Sequence, residues 1–124
     1  MNKNRPIHLD LRSIKLPLPG FVSILHRISG LLLFLTLPLF LRMLQNSLFS
    51  IETYTQLVAV LKYPLSKLIL ISLLWAFLHH LCAGIRYLAI DMHIGVGLKQ
   101  ARVSSKWVLF VSLSLTLLMG IWLW

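Results

Sequence analysis

Residues Leu68–Asp91 read LILISLLWAFLHHLCAGIRYLAID and decide the fold of this 124-residue chain. The stretch is long and apolar enough to cross a bilayer as one helix, because about 20 apolar residues span the ~30 Å hydrocarbon core. It also contains His79, His80 and Arg86, which lipid accepts only where they have a partner or a function. This helix is therefore predicted to carry the functional site.

The two adjacent histidines are candidate metal ligands, because a neutral imidazole offers one ring nitrogen to a metal. They lie about 100° apart on a helix, so at most one faces a given ligand. We favour His80, because its neighbour one turn along is Gly84, whereas His79 is followed at that spacing by Ala83. The space at Gly84 suits a flat, bulky group, and haem iron held by histidine fits it. The alternative is a histidine that only packs within the bundle.

The composition indicates an integral membrane protein. Hydrophobic residues make up 58% of the chain and charged residues 12%, which is more apolar surface than a small soluble core buries. We predict an all-α chain with transmembrane helices at 21–49, 64–91 and 106–124. Residues 1–20 form an N-terminal arm, in which prolines and a glycine disfavour regular helix before about Phe21.

The formal charge of +9 is explained better by membrane orientation than by nucleic acid, because the basic residues lie in short segments beside the apolar spans. Seven of them precede the first span or lie between the second and third. By the positive-inside rule the N-terminus is cytoplasmic and the C-terminus is outside. No removable signal peptide is expected in residues 1–20. The seven are Lys3, Arg5, Arg12, Lys15, Lys99, Arg102 and Lys106.

A second polar group opens the first span, where the sequence reads SILHRISG. Ser23, Arg27 and Gly30 fall on one stripe of a helix, so a hydroxyl, a guanidinium and a gap share a face. Separately, Ser23 is explained by helix packing and Arg27 by snorkelling to the interface. Together with His26 they predict a polar pocket.

Arg86 and Asp91 occupy the cytoplasmic end of the second span. Because adjacent spans are antiparallel, they are expected at the depth of Ser23 and Arg27, with His80 about 9 Å deeper at 1.5 Å per residue. The alternative for Arg86 is an interfacial anchor or a salt bridge with Asp91. The order from the cytoplasm inward is therefore a charged rim, a polar pocket and a histidine.

The remaining segments carry no catalytic group. Residues 46–62 predict an extracytoplasmic loop with a short interfacial helix. Pro38 is expected to kink the first span. The last span is apolar except for Ser112, Ser114 and Thr116, whose hydroxyls are expected to bond back to helix carbonyls. We assign that span to packing.

Three segments in this order resemble a known family. RPIHLDLRSIKLP, then SILHRISG, then HHLCAGIRYLAID are similar to the cytochrome b membrane-anchor subunit of bacterial succinate dehydrogenase, respiratory complex II. The resemblance covers nearly the whole chain. It implies a single membrane-anchor domain within a multi-subunit helical bundle.

The resemblance implies a haem b site. It makes His80 an axial ligand of the iron and places His26 and Arg86 near the haem propionates. One departure is Tyr87, because the family often has histidine directly after the arginine of GIR. The resemblance therefore does not extend to a propionate contact or proton relay at that position, and the role of His80 is unaffected. The second axial ligand is expected from a smaller membrane-anchor subunit that shares the haem.

The resemblance also implies a ubiquinone site formed by Ser23 and Arg27, with Asp91 at its rim. The expected partners are an iron-sulfur subunit, a flavoprotein subunit and membrane lipid in the bacterial cytoplasmic membrane. The chain has no flavin or cluster motif, so it is not expected to oxidise succinate alone. The alternatives are a fumarate reductase anchor, which runs the reaction in reverse, and a structural membrane subunit without a cofactor.

Overall fold

The structure, a computed structural model, describes residues 16–123. They form four helices, α1 Leu18–Phe49, α2 Ile51–Leu61, α3 Pro64–Asp91 and α4 Leu98–Leu123, and contain no strand. Helices α1, α3 and α4 are long and apolar enough to cross a membrane. The prediction of an all-α chain with three spans is confirmed. The predicted N-terminal arm, with four of the basic residues used for orientation, lies mostly outside the described range.

Helix α1 begins at Leu18, three residues before the predicted span. Its first turn contains Pro19, and the amides of Gly20 and Phe21 donate to the Pro17 carbonyl over 2.9 and 3.1 Å. Proline fits a first helical turn, because its backbone angle is already helical and no N–H is needed there. Pro17 and Pro19 therefore lie at the start of the helix, although prolines had predicted irregular backbone there.

Helix α2 is the short helix expected between the first two spans. Ser50 caps its N-terminus in a capping box, in which Ser50 Oγ accepts from the Thr53 amide and the Ser50 amide donates to Thr53 Oγ1. The Thr53 hydroxyl also donates to the Asn46 carbonyl over 2.7 Å. This contact folds α2 back onto the last turn of α1. Its place at the membrane interface stays a prediction.

A short turn joins α3 to α4. His93 has a φ angle of 61° and Gly95 one of 76°, both in the left-handed region. The His93 and Ile94 amides donate to the Ile90 and Ala89 carbonyls, which closes the end of α3. The turn leaves α4 antiparallel to α3, and α4 begins at Leu98, well before the predicted third span.

Helix α3 packs against both α1 and α4. The three helices meet at Val22 of α1, Ala83 of α3 and Val108 of α4, which are all buried. Most larger apolar side chains are exposed, as expected for surfaces that face lipid or other membrane helices. The interior also buries polar side chains, namely Ser29, His79, Arg86, Ser105, Ser112 and Thr116.

The hydroxyls of α4 bond to its own backbone. Ser105 donates to the Ala101 carbonyl over 2.7 Å, and Thr116 donates to the Ser112 carbonyl over 2.7 Å. Ser112 donates to the Leu109 carbonyl. These bonds satisfy the buried hydroxyls without a ligand. The predicted bonds from these hydroxyls back to helix carbonyls are confirmed for Ser112 and Thr116.

Candidate functional site

The centre of the candidate site is a pair of histidines from two helices. The rings of His26 on α1 and His80 on α3 are stacked, with their centroids 4.2 Å apart and their planes 9° apart. Nδ1 of His80 lies 3.1 Å from the carbonyl oxygen of His26 and 3.3 Å from Oγ of Ser29. The two histidine motifs of the sequence therefore meet at one place.

The contact with the carbonyl fixes which nitrogen of His80 carries the proton. A carbonyl oxygen only accepts hydrogen bonds, so Nδ1 must be the donor. In the neutral ring Nε2 then keeps its lone pair. Nε2 makes no hydrogen bond within residues 16–123, and the His80 side chain is only half-buried. A neutral imidazole with one anchored N–H and one free nitrogen is the usual form of a metal-ligating histidine.

Of the two glycines beside the histidines, only Gly30 is required for this close approach. A Cβ atom at Gly30 would lie 2.8 Å from Cε1 of His80, which is too close for two carbon atoms. A Cβ atom at Gly84 would lie 3.7 Å from Nε2 of His26, an ordinary contact. The neighbour of Gly84 within the chain is therefore the flat ring of His26, and the gap at Gly30 receives His80.

His79 lies on a different side of α3 and is completely buried. Its ring contacts Trp75, with centroids 5.3 Å apart, and neither ring nitrogen has a hydrogen-bond partner among the described residues. The two histidines thus face different surroundings, as the helical spacing predicted. Of these two histidines, only His80 has a hydrogen-bonded ring nitrogen and a partly exposed side chain.

The predicted quinone residues lie toward the start of α1 and the end of α3. Ser23 is half-buried, and Arg27 and Asp91 are exposed. Neither of the two charged side chains makes a hydrogen bond or ion pair with another residue in the 16–123 range. The structure brings Ser23 and Arg27 within one turn of His26, but it shows no contact between them and Asp91.

Arg86 is almost completely buried and points toward α4. Its Nε donates to Oγ of Ser104 over 2.9 Å, and one terminal nitrogen lies 3.4 Å from the Ala101 carbonyl. The expected alternative, a salt bridge with Asp91, is not formed. Two of five guanidinium N–H groups are thereby used, and Arg86 joins α3 to the first turns of α4.

Sequence reasoning missed Ser29 as part of the site. Ser29 is 4% exposed, donates to the His26 carbonyl over 2.9 Å and contacts Nδ1 of His80. The sequence does indicate Ser29, because Ser29 follows His26 by three residues and directly precedes Gly30 in the same motif. Tyr87, the departure from the resemblance, contacts the His26 ring with centroids 5.1 Å apart.

Residues 1–119 match the sequence profile of the family described as succinate dehydrogenase/fumarate reductase transmembrane subunit. The chain belongs to this family. It is 38% identical to the succinate dehydrogenase cytochrome b556 subunit of Coxiella burnetii, with both chains fully covered. It is 32% identical to the cytochrome b556 subunit of Paracoccus denitrificans, over 93% of this chain and 88% of that one.

A further relative is the succinate dehydrogenase cytochrome b560 subunit of Reclinomonas americana, which is 34% identical over 95% of this chain and 85% of its own length. As a member of the succinate dehydrogenase/fumarate reductase transmembrane subunit family, the chain is a membrane subunit of an enzyme complex, and its three candidate spans make it a multi-pass membrane protein. The stacked pair of His26 and His80 comes from the segments SILHRISG and HHLCAGIRYLAID of this chain.

Proposed function

We propose that this chain is the haem b-binding membrane anchor of a bacterial succinate dehydrogenase and forms part of its ubiquinone-reduction site. The observation that carries this proposal is the anchored ring of His80, whose Nδ1 bonds to the His26 carbonyl and whose Nε2 has no hydrogen-bond partner among the described residues. The names of the relatives, cytochrome b556 and b560 subunits, support a haem role.

His80 would hold the haem through Nε2 as one axial ligand. His26, stacked on His80, and Arg86, which uses two of its five N–H groups within residues 16–123, would lie near the propionates. The second axial ligand would come from a smaller membrane-anchor subunit. The bound haem would supply a one-electron store beside the quinone pocket.

Ser23 and Arg27 would bind the ubiquinone head. A hydroxyl and a guanidinium both donate hydrogen bonds to a quinone carbonyl oxygen, and the fixed positive charge stabilises the negative charge that develops on the oxygen during reduction. Arg27 is exposed and its donors are not used within the described part of the chain. Asp91 would form the rim, and the isoprenoid tail would stay in lipid.

The catalytic partners would dock on the cytoplasmic side of the bacterial inner membrane. Electrons from succinate would pass from a flavoprotein subunit through an iron-sulfur subunit to the quinone. The exposed basic residues Lys99, Arg102 and Lys106 at the start of α4 support this orientation, because cytoplasmic segments of membrane proteins are rich in Lys and Arg. They lie at the same end of the bundle as the start of α1, where Ser23 and Arg27 are found.

Fumarate reductase is the second candidate function, because the family description includes both enzymes. The purified four-subunit complex should reduce ubiquinone with succinate faster than it oxidises menaquinol with fumarate. Both rates are measured on the same preparation and normalised to bound flavin. A faster menaquinol–fumarate rate would contradict the succinate dehydrogenase assignment and favour the second candidate.

A further inference from the structure

We infer that the His26 carbonyl, the Ser29 hydroxyl and the space at Gly30 form a positioning site that sets the tautomer and the ring orientation of His80. We call these three groups the α1 cradle. The inference rests on the proposed function, because orientation matters only if His80 binds iron. It assigns a role to Ser29 and Gly30, which ligand spacing on α3 alone does not identify.

The first part of the α1 cradle consists of two acceptors for one N–H group. The Ser29 hydroxyl donates its proton to the His26 carbonyl over 2.9 Å, so its lone pairs remain to accept from Nδ1 of His80 at 3.3 Å. The His26 carbonyl accepts from the same nitrogen at 3.1 Å. Ser29 is 4% exposed, so little water or lipid competes for these groups. Protonated Nδ1 is therefore favoured.

The second part of the cradle is steric. The His80 ring lies over Gly30, and a Cβ atom there would be 2.8 Å from Cε1 and 3.2 Å from Nδ1. The parallel ring of His26 covers His80 at 4.2 Å. Turning the His80 ring over would replace Nδ1 by a carbon and break the bond to the carbonyl. The cradle thus leaves Nε2 as the nitrogen that is free for iron.

The chemical consequence is a more basic Nε2. A hydrogen bond from the non-ligating N–H of an imidazole raises the basicity of the ligating nitrogen and fixes the ring. A more basic ligand stabilises ferric over ferrous iron and lowers the reduction potential of a haem. The α1 cradle would therefore affect both haem retention and haem potential.

The test compares two variants of the intact membrane complex. Ser29→Ala should keep the haem but shift its midpoint potential upward and change the g values of its low-spin ferric signal, because one acceptor is lost. Gly30→Ala should displace the ring and lower the haem-to-flavin ratio about tenfold, the lower end of the range for lost second-sphere partners. Potentiometry, electron paramagnetic resonance and haem analysis give these readouts without relying on turnover.

Two matched variants serve as controls. Ser47→Ala removes a hydroxyl that makes the same three-residue bond on α1, to the Leu44 carbonyl, without contacting a histidine. Gly120→Ala adds a methyl group where no heavy atom of the described residues lies within 4 Å. Both should retain the haem content, potential and g values of the original complex. Ser29 and Gly30 variants that behave like these controls would overturn the inference.

A double variant, His80→Gly with Gly30→Ala, distinguishes an effect of Gly30 on the position of the His80 ring from an effect on helix packing. In a His80→Gly complex supplied with imidazole, the ring is no longer attached to α3, so adding Gly30→Ala should cause no further loss of haem. A further loss of tenfold would show that Gly30 acts on helix packing, against the inference. Unchanged haem in His80→Ala would refute the ligand assignment and with it the proposed function. Loss of haem in His80→Ala, together with unaffected Ser29→Ala and Gly30→Ala complexes, would refute only the α1 cradle.

Discussion

His80→Ala is expected to remove the six-coordinate, low-spin haem from the succinate dehydrogenase complex. The variant lacks the imidazole whose Nδ1 is anchored to α1 and whose Nε2 bonds to no residue in the 16–123 range. Iron left with one axial ligand from the partner subunit would become five-coordinate and high-spin, or the haem would be lost. The measurement is the haem-to-flavin ratio together with the low-spin ferric signal of the purified complex.

Two other histidines provide controls for this result. His79→Gln keeps a polar side chain of similar size at the fully buried position next to His80 and should retain low-spin haem. His93→Asn alters an exposed histidine in the α3–α4 turn with a residue that tolerates its φ of 61°. Normal haem in His80→Ala, or loss of haem in His79→Gln alone, would contradict the ligand assignment.

Arg27→Leu is expected to slow ubiquinone reduction by about 100–1,000-fold, in line with the loss of a donor that stabilises a developing oxyanion. Succinate oxidation by an artificial acceptor should stay nearly unchanged, because the proposed function places that reaction in the catalytic partner subunits. The measurement is the ratio of the two rates in the same membranes, together with the KM for a short-chain ubiquinone. Arg27 is exposed, so its removal leaves no buried partner unsatisfied.

Arg42→Leu is the matched control for the quinone site. Arg42 is also an exposed arginine on α1, but it lies near the opposite end of the helix and contacts Gln45. Its removal should alter neither rate. Equal loss of both rates in Arg27→Leu would show that Arg27 supports assembly of the complex and would contradict its role at the quinone.

The spans could be predicted from the sequence because length and apolar composition alone define them. The helix ends could not. Helix α4 begins at Leu98, and its first turns carry Lys99, Arg102 and Lys106, which suit a helix outside the hydrocarbon but lower the local hydropathy. Hydropathy marks the part of a helix that lipid surrounds, whereas the start is set by the backbone of the preceding turn.

The different surroundings of His79 and His80 follow from their spacing on the helix, as predicted, whereas the choice of His80 as the ligand stays a prediction. Gly84 on the same helix was the reason for choosing His80, but the closest approach to its ring involves Gly30 on α1. Sequence spacing relates residues on one helix, and it contains no register between two helices. For the same reason the bond from Arg86 to Ser104 could not be foreseen. The haem and quinone roles remain predictions.

The optical spectrum of the isolated membrane complex, recorded before and after reduction by succinate, shows whether the complex contains haem b. The Soret and α bands of a low-spin b-type haem are expected. A complex that assembles and oxidises succinate but shows no Soret band would contradict the proposed function.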